Sequence, residues 1–381
     1  MKTMSAGLKA HFASETTTIT TCIAMVLNWR DIPVTSISQA NPAVVTTTYD
    51  HALVDGQFIA FTDVVGMTEV NEDAHTQPWK FYVVTVLTDT TFELNGIDST
   101  GFTAYTSGGI IHEILAFTDL NEDLTLDGID YSATSSFSNS SIQSEGSMAV
   151  DNLELEGVIS NLANDISAEN IIAGRFDMAE LRMFQVNYED LSMGRVWLRR
   201  GWVGGVKVED NKYIFEFRGM MDMLQQQTLE LYTPDCRFDL GDSRCKFLMT
   251  GNTASPVTPA TGTGSITSIT DNRVFHDTTR TEGDNFFQFG ELIFTSGSNT
   301  GLSKEVKVYT FVSSEIEVII AFPFNIEVGD EYIIKTGCDK TFLACKNKFN
   351  NVLNFGGFPY LPGEDRLLEV TVPKQPSINP T

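Results

Sequence analysis

Four of the five cysteines in this chain form two pairs whose spacing could build a metal or cluster site. Cys236 and Cys245 have eight residues between them, and after a further 92 residues Cys338 and Cys345 follow with six between them. Each pair lies among Pro, Gly, Asp and Lys residues, which favour turns and let the backbone bring several sulfurs towards one point. The sequence therefore predicts that the four thiols serve one site.

The residues around the two pairs are basic, although the whole chain has a formal net charge of −25. Positive side chains favour deprotonated thiolates and offset the negative charge of a thiolate cluster. Residues 234–248 and 335–348 contain seven basic side chains, Arg237, Arg244, Lys246, Lys335, Lys340, Lys346 and Lys348, and four acidic ones, Asp235, Asp239, Asp242 and Asp339. We therefore expect these cations to offset the charge of the sulfurs.

Other interpretations of the cysteines stay open at this point. Zinc suits four cysteines, but structural zinc sites usually pair ligands two to four residues apart, and these gaps are wider. Disulfides are disfavoured, because there is no secretory signal and five cysteines cannot all pair within one chain. The four thiols could also be unrelated and buried. Spacing alone leaves iron–sulfur, zinc and no metal equally open. The fifth cysteine, Cys22, is predicted to pack within a strand.

The composition predicts a mainly β protein of two or three domains. The chain has 381 residues, only 20% of them charged, and it is rich in Thr, Ser, Gly and Phe. With 25 basic and 50 acidic residues, it is not expected to bind nucleic acid through a basic surface. No apolar run approaches the roughly 20 residues that span a bilayer. We expect a soluble protein made in the cytoplasm.

The cysteine regions resemble the C-terminal part of tail-tip hub proteins of long-tailed bacteriophages and gene transfer agents, a group that includes the lambdoid tail tip protein L. The resemblance rests on FRGMMDMLQQQTLELYTPDCRFDLGDSRC and GCDKTFLACKNKFNNVLNFGGFPYLPG, with the turn at Leu240–Asp242, the run Phe349–Asn351 and the ending Gly357–Pro359. It implies a four-iron four-sulfur cluster bound by Cys236, Cys245, Cys338 and Cys345, with zinc as the alternative. Lys246 departs from the pattern, which has a small residue there.

The resemblance also implies a structural function. Such hubs form a trimeric ring that continues the tail lumen and joins the tail tube and distal tail protein to host-facing parts. The expected partners are two further copies of the chain, the distal tail protein ring, the tail tube, the tape measure protein and a central tip or fibre protein. Genome DNA is expected to pass through the lumen without specific binding. The expected location is the tail tip of a virion, assembled in the host cytoplasm.

The chain is predicted to contain an inserted module. Residues 32–113 read as short strands between Gly, Asn and Asp turns, and Asn41–Thr47, Gly56 and Gly96–Gly109 resemble the first catalytic cysteine half-domain of ubiquitin-activating enzymes. Trp29–Asp31 and Glu113–Phe117 read as the two strands of a hairpin, so the module is expected to project from a hairpin tip. The predicted domains are tail-tube-like hub β domains (1–31 and 114–230), the inserted β-barrel (32–113) and a C-terminal iron–sulfur β domain (231–381).

Local patterns predict several further elements. Helices are expected over 5–13, 167–174 and 220–232; strands over 17–29, 181–189, 195–209, 212–221, 286–322 and 328–335; a flexible stretch over 250–265; and a mobile tail after Pro362. Gly201, Gly204 and Gly205 are interpreted as turn glycines. Asp119, Asn121, Asp123, Asp127 and Asp130 have the spacing of a calcium loop, but Leu124 stands where that loop needs Gly, so an acidic hairpin turn is favoured.

Enzymatic activity is not predicted. The five histidines are scattered, and the sequence contains neither a nucleophile elbow nor a dinucleotide-binding fingerprint. Two alternatives to a structural hub remain, an iron–sulfur redox or sensing protein and a tail-associated cell-wall hydrolase.

Overall fold

The computed structural model describes residues 4–14, 17–72, 79–133, 138–139, 152–158, 166–209, 212–219, 222, 224, 230–249 and 260–361. Strands dominate this part of the chain, so the predicted mainly β class is confirmed. Within it, no helix is both long and apolar enough to cross a bilayer.

The first two thirds of the chain build one continuous sheet and a small separate hairpin. The strands are β1 Ile19–Val26, β2 Ile32–Ile37, β3 Ala43–Thr47, β4 Phe58–Val65, β5 Tyr82–Thr88, β6 Thr91–Leu94, β7 Ser107–Thr118, β8 Leu124–Leu126, β9 Ile129–Tyr131, β10 Ser138–Asn139, β11 Asn152–Val158, β12 Glu180–Asn187, β13 Arg195–Glu209 and β14 Lys212–Gly219. Strands β8 and β9 pair only with each other, as the predicted acidic hairpin. The other twelve run in the order β10-β11-β14-β13-β12-β1-β7-β2-β3-β6-β5-β4.

Strand β7 joins two parts of this sheet. Its first residues pair with β2 and β4, and because β4 returns to β7, strands β2 to β7 close into a small barrel. Its last residues, Ile114–Thr118, pair with β1. The strand that follows the predicted insert therefore pairs with the strand that precedes it, as expected. The paired residues of the preceding strand are Cys22–Val26. Trp29 and Arg30 form a bend instead, and Asp31 lies outside any strand, which corrects the predicted hairpin.

The inserted module is anchored to the sheet from which it was predicted to project. Trp79 is buried in a cluster with Phe184 and Tyr131, and its ring centroid lies 5.1 Å from that of Trp197. Arg182 of β12 donates to Glu72, 2.6 Å away, and both side chains are buried. The module thus contributes to the core of the neighbouring sheet. Its removal would expose that core.

Three glycines predicted in turns lie within strand β13. Gly201 lies so close to β14 that an added Cβ would come within 2.2 Å of the Arg218 carbonyl oxygen. The pairing of β13 with β14 shifts between Val203 and Gly205, which places Gly204 at a β-bulge. Glycine is needed here for close approach and for the bulge, because a side chain would collide with the facing strand.

The last third of the chain forms a second sheet beside the cysteine loops. Its strands are β15 Thr261–Ser265, β16 Ser268–Ile269, β17 Val274–His276, β18 Glu291–Phe294, β19 Ser303–Thr310, β20 Glu315–Val318 and β21 Glu331–Lys335, in the order β15-β21-β18-β19-β20-β17-β16. Thr261 pairs with Lys335, so the two ends of this sheet region meet, as expected. Thr261–Ser265 is a strand, which corrects part of the predicted flexible stretch; residues 250–259 lie outside the described residues.

Helices are few and short in the described residues. They are α1 Ala6–Phe12, α2 Ala168–Ile172 and α3 Phe342–Asn347, with 3₁₀ turns at Thr68–Val70, Leu191–Met193 and Val352–Asn354. The first two confirm the predicted helices, and the Ser167 side chain caps α2 as expected. The predicted helix over 220–232 and the tail after Pro362 fall mostly or wholly outside the described residues.

Candidate thiol site

The four paired cysteines line one cavity. Cys236 and Cys245 lie in the irregular segment 230–249, Cys338 follows β21, and Cys345 lies in α3. The backbone N–H of Cys236 donates to the Lys340 carbonyl at 2.8 Å, which ties the first cysteine segment to the second. The remaining walls are Phe238, Leu240, Phe349, Asn351 and Asn354. The site therefore has soft sulfur donors and mostly apolar walls.

Local turns aim the sulfurs of each pair. In the first segment Gly241 has φ +88°, and Asp242 Oδ1 accepts from the backbone N–H groups of Arg244 and Cys245. Lys246 then adopts φ +57°, a left-handed conformation that costs a side chain more than a glycine. That strain explains why a small residue is expected after the second cysteine. In the second segment, Thr341 Oγ1 caps α3 and so orients Cys345.

Nitrogen donors point at two of the sulfurs. The backbone N–H of Gly356 lies 3.3 Å from Cys236 Sγ, and Asn351 Nδ2 lies 3.4 Å from Cys245 Sγ. Asn351 also donates to the Cys245 carbonyl at 2.7 Å, and its own carbonyl accepts from Cys345 Sγ. Such donors stabilise thiolates that bind a metal or cluster. The sequence identified Asn351 only as part of a pattern, because its role depends on contacts with a segment more than 100 residues away.

Burial disfavours thiolates in the site as it stands. Burial, together with the smaller effect of the nearby Cys236, Cys338 and Cys245, raises the pKa of Cys345 to about 11. Burial also raises the pKa of Cys338. The neutral thiol is therefore the favoured form of Cys338 and Cys345 at neutral pH, and a bound metal or cluster would have to displace their protons.

The basic residues around the site hold the loops together. Lys340 Nζ donates to the Phe238 carbonyl and to Asp239, and Lys348 Nζ donates to the carbonyls of Phe286 and Gly337. Arg237 and Arg244 both form ion pairs with Glu230. Carboxylates and carbonyls thus engage much of the charge of these cations, although Lys340 also favours the Cys338 thiolate, and the offset of the sulfur charge stays a prediction.

The donor set at the cavity suits a thiophilic group, but its spacing does not match a single ion. Across the described residues, no three His, Cys, Asp or Glu side chains are arranged to hold one metal ion, and this includes the four cysteines. Four thiols with N–H donors and apolar walls fit an iron–sulfur cluster by their chemistry. A single tetrahedral zinc would need its sulfurs about 2.3 Å from one point.

The other predicted sites have local roles. Cys22 is fully buried in β1 with its sulfur 3.9 Å from Thr118 Oγ1, and burial raises its pKa to about 12, as expected for a packed thiol. The aspartates of the calcium-like spacing each have a hydrogen-bond or ion-pair partner within the protein. Asp119 accepts from Thr20 and Thr21, Asp123 from Ala133, Asp130 from Thr125, and Asp127 pairs with Arg195.

Three family models match parts of the chain. Residues 103–248 match the family described as baseplate hub protein, N-terminal attachment domain, and residues 285–365 match the phage conserved hypothetical protein BR0599. The first cysteine pair falls in the former match and the second pair in the latter. Residues 40–114 match the ubiquitin-activating enzyme E1 FCCH domain, in agreement with the resemblance of the inserted module.

A solved structure shares the fold over nearly the whole chain. It is described as "Virion of native gene transfer agent (GTA) particle", with a TM-score of 0.64, 23% identity and 99% of both chains covered. No curated protein sequence matches. Together with the baseplate hub match, this fold confirms that the chain resembles the tail-hub proteins of bacteriophages and gene transfer agents.

Proposed function

We propose that this chain is a structural hub at the tail tip of a long-tailed phage or gene transfer agent. The observation that carries the proposal is the shared fold along the full length with a chain of a gene transfer agent virion, joined to the match with a baseplate hub attachment domain. Three copies would form a ring that continues the tail lumen. The ring would connect the tube and distal tail protein to host-facing tip components, and the tape measure protein would be a further partner. A closed ring suits a channel.

The surface charge is compatible with that channel. A formal net charge of −25 repels DNA phosphates, so genome DNA would slide past the ring without sticking. Mutual repulsion between acidic copies must then be offset by contacts between them, as in any ring of like-charged subunits.

The thiol site fits a structural [4Fe–4S] cluster in this function. Such a cluster would supply four iron–sulfur bonds that cross-link two chain segments in a reducing cytoplasm, where disulfides do not persist. Cys236, Cys245, Cys338 and Cys345 would hold it, and Gly356 and Asn351 would donate to two of the sulfurs. The sheet between the cysteine pairs would be fixed to the rest of the chain.

A particle-assembly experiment tests the proposal. Inactivating the gene should stop assembly at the tail tip, and an epitope-tagged copy that restores assembly should be imaged there as three subunits per particle. Complete tails without this chain, or a single copy per tail, would contradict a trimeric hub. Reversible electron transfer by the purified protein, together with normal tails in its absence, would instead favour the redox alternative.

A further inference from the structure

His51 is a buried histidine whose two ring nitrogens both bond to the backbone. It lies in the loop of residues 48–57 that joins β3 to β4, is 1% exposed, and packs edge-on against the Phe92 ring. The Leu53 N–H nitrogen lies 3.0 Å from Nδ1, and the Thr88 carbonyl oxygen lies 3.0 Å from Nε2. A backbone N–H can only donate and a carbonyl can only accept, so Nδ1 must be unprotonated and Nε2 must carry the proton. The fold thus requires one neutral tautomer of His51.

A second proton on this ring would remove the hydrogen bond from Leu53. The imidazolium carries an N–H group at each nitrogen, so its Nδ1–H would face the Leu53 N–H and neither group could accept. Leu53 is buried in the core of the inserted barrel, where an unpaired N–H is unfavourable. The loop must therefore shift when His51 is protonated.

The surroundings of His51 keep it neutral. Burial lowers its pKa below the ordinary value of 6.5 and Arg30 adds to that effect, while backbone carbonyls at the turn from β5 to β6 and the Asp50 carboxylate oppose it. Asp89, also in that turn, accepts from the His51 backbone N–H through its carbonyl. Because the folded-state pKa is lower than the unfolded one, the stabilisation by the neutral ring is fully present above about pH 6.5 and falls as the pH drops below it.

The loop that His51 orders also contacts the C-terminal sheet. Thr300, in the turn between β18 and β19, donates through Oγ1 to the Asp50 carbonyl at 3.1 Å. The Tyr49 hydroxyl donates to the Asp31 carbonyl at 2.6 Å, beside the bend that precedes β2. These bonds start from the two residues directly before His51. A shift of the loop would therefore move them as well.

We propose that His51 is a pH-sensitive switch that holds the loop of the inserted barrel against the C-terminal sheet when neutral and releases this contact when protonated. One state has residues 48–57 bonded around the neutral ring, and the other has the loop displaced around the imidazolium. The barrel keeps its attachment to the parent sheet in both states, because Trp79 and Arg182 lie apart from the loop in sequence and in contacts. Acidification would therefore loosen one side of the barrel only.

His276 shows that this sensitivity depends on the bonding partners of the ring. Its Nδ1 lies 3.2 Å from the Ser313 carbonyl oxygen, and its Nε2 lies 3.1 Å from the Thr270 hydroxyl. A hydroxyl can either donate or accept, so both bonds persist when the His276 ring gains a proton. The partners of His51 are both backbone groups and cannot adapt in this way.

Hydrogen exchange of the full-length protein, followed by mass spectrometry at pH 7.5 and 5.0, tests the switch. After correction for the intrinsic pH dependence of exchange, residues 48–57 and 299–303 should lose protection together at the lower pH. The opening equilibrium constant should rise by up to about 30-fold, the limit set by an ordinary pKa of about 6.5 in the open state.

Two matched substitutions identify the residue responsible. His51→Asn offers an amide oxygen to the Leu53 N–H but cannot be protonated, so its protection should be the same at both pH values. His276→Asn is the control and should keep the wild-type response. Unchanged protection in the wild type, a response that persists in His51→Asn, or its loss in His276→Asn would overturn the proposal.

Nitrogen NMR of wild-type protein with labelled histidines gives a readout that needs no change at His51. Its signals are assigned by elimination, from single substitutions at the other four histidines. At pH 8 we expect an unprotonated Nδ1 and a protonated Nε2, and on acidification a pKa below 6.5. A protonated Nδ1 at pH 8, or a pKa at or above 6.5, would contradict the switch. The inference does not depend on the proposed hub function.

Discussion

Glu113 is a buried carboxylate at the junction of three parts of the chain. It lies in β7, at the base of the inserted barrel, and is 3% exposed. Oε1 accepts from Arg30 at 2.5 Å and from Trp29 at 3.3 Å, and Oε2 accepts from Arg175 at 2.5 Å and from Gln57 at 3.1 Å. Gln57 belongs to the barrel and Arg175 to the parent sheet region. One carboxylate thus forms ion pairs with two guanidinium groups, one through each oxygen.

The same junction contacts the C-terminal sheet. Trp29 packs edge-on against Phe324 at 6.5 Å, and Arg30 lies against Gly301. A change at Glu113 should therefore loosen the inserted barrel, the parent sheet and the C-terminal sheet relative to one another.

We predict that Glu113→Gln lowers the free energy of unfolding by about 3 kcal/mol. Burial opposes ionisation of this carboxyl, but the Arg30 and Arg175 guanidinium groups outweigh burial and lower its pKa from an ordinary 4.5 to about 2. A depression of this size corresponds to about 3 kcal/mol. The value agrees with the roughly 3–5 kcal/mol lost when one partner of a buried ion pair is removed.

The pH dependence has a defined sign. Because the folded-state pKa is lower than the unfolded one, the stabilisation is fully present above about pH 4.5 and is lost as the pH falls towards about 2. Glu113→Gln should therefore remove one component of acid sensitivity in this window. Stability measured at pH 7 and at pH 3 should differ less in the variant than in the wild-type protein.

Urea denaturation followed by tryptophan fluorescence measures the effect, since Trp29 lies in the junction. Glu122→Gln is the matched control, because Glu122 is exposed and the substitution is the same. A surface carboxylate contributes roughly 0–1 kcal/mol. Equal urea midpoints for the two variants, or an unchanged acid transition in Glu113→Gln, would refute the reasoning.

Three further predictions concern the cysteines, the module anchor and the strand glycines. Cys345→Ser should lower the iron and acid-labile sulfide content of anaerobically purified protein, whereas Cys22→Ser should leave both unchanged; zinc without sulfide in the wild type would rule out the cluster. Trp79→Ala should cost about 3–5 kcal/mol in urea denaturation by emptying the aromatic cluster, and an unchanged midpoint would contradict the anchoring of the module. Gly201→Ala should lower the thermal midpoint clearly more than Gly205→Ala, because an added Cβ meets backbone at Gly201 but a flexible Glu216 side chain at Gly205; equal shifts would contradict this difference.

Strands β12 and β13, helix α2 and Gly201 show how far local sequence information reaches. The alternation in 181–189 and 195–209 predicted β12 and β13 because the period of a half-buried strand is written in neighbouring residues. Ser167 likewise predicted the start of α2 through a contact three residues away. The role of Gly201 could not be read in this way, because glycine marks turns and close strand contacts alike, and only the facing strand distinguishes them.

The sequence by itself determined the β class, the closed inserted barrel and the identity of the four thiols that share a loop-rich context, because periodicity, turn residues and motifs are local properties. Tertiary structure alone decided that Trp79 completes the core of another sheet, that Lys340 and Lys348 donate hydrogen bonds that hold loops together, and that Glu113 forms ion pairs with both Arg30 and Arg175. Each of these depends on partners tens to more than a hundred residues distant, and the net effect of burial and pairing is fixed only when those partners meet.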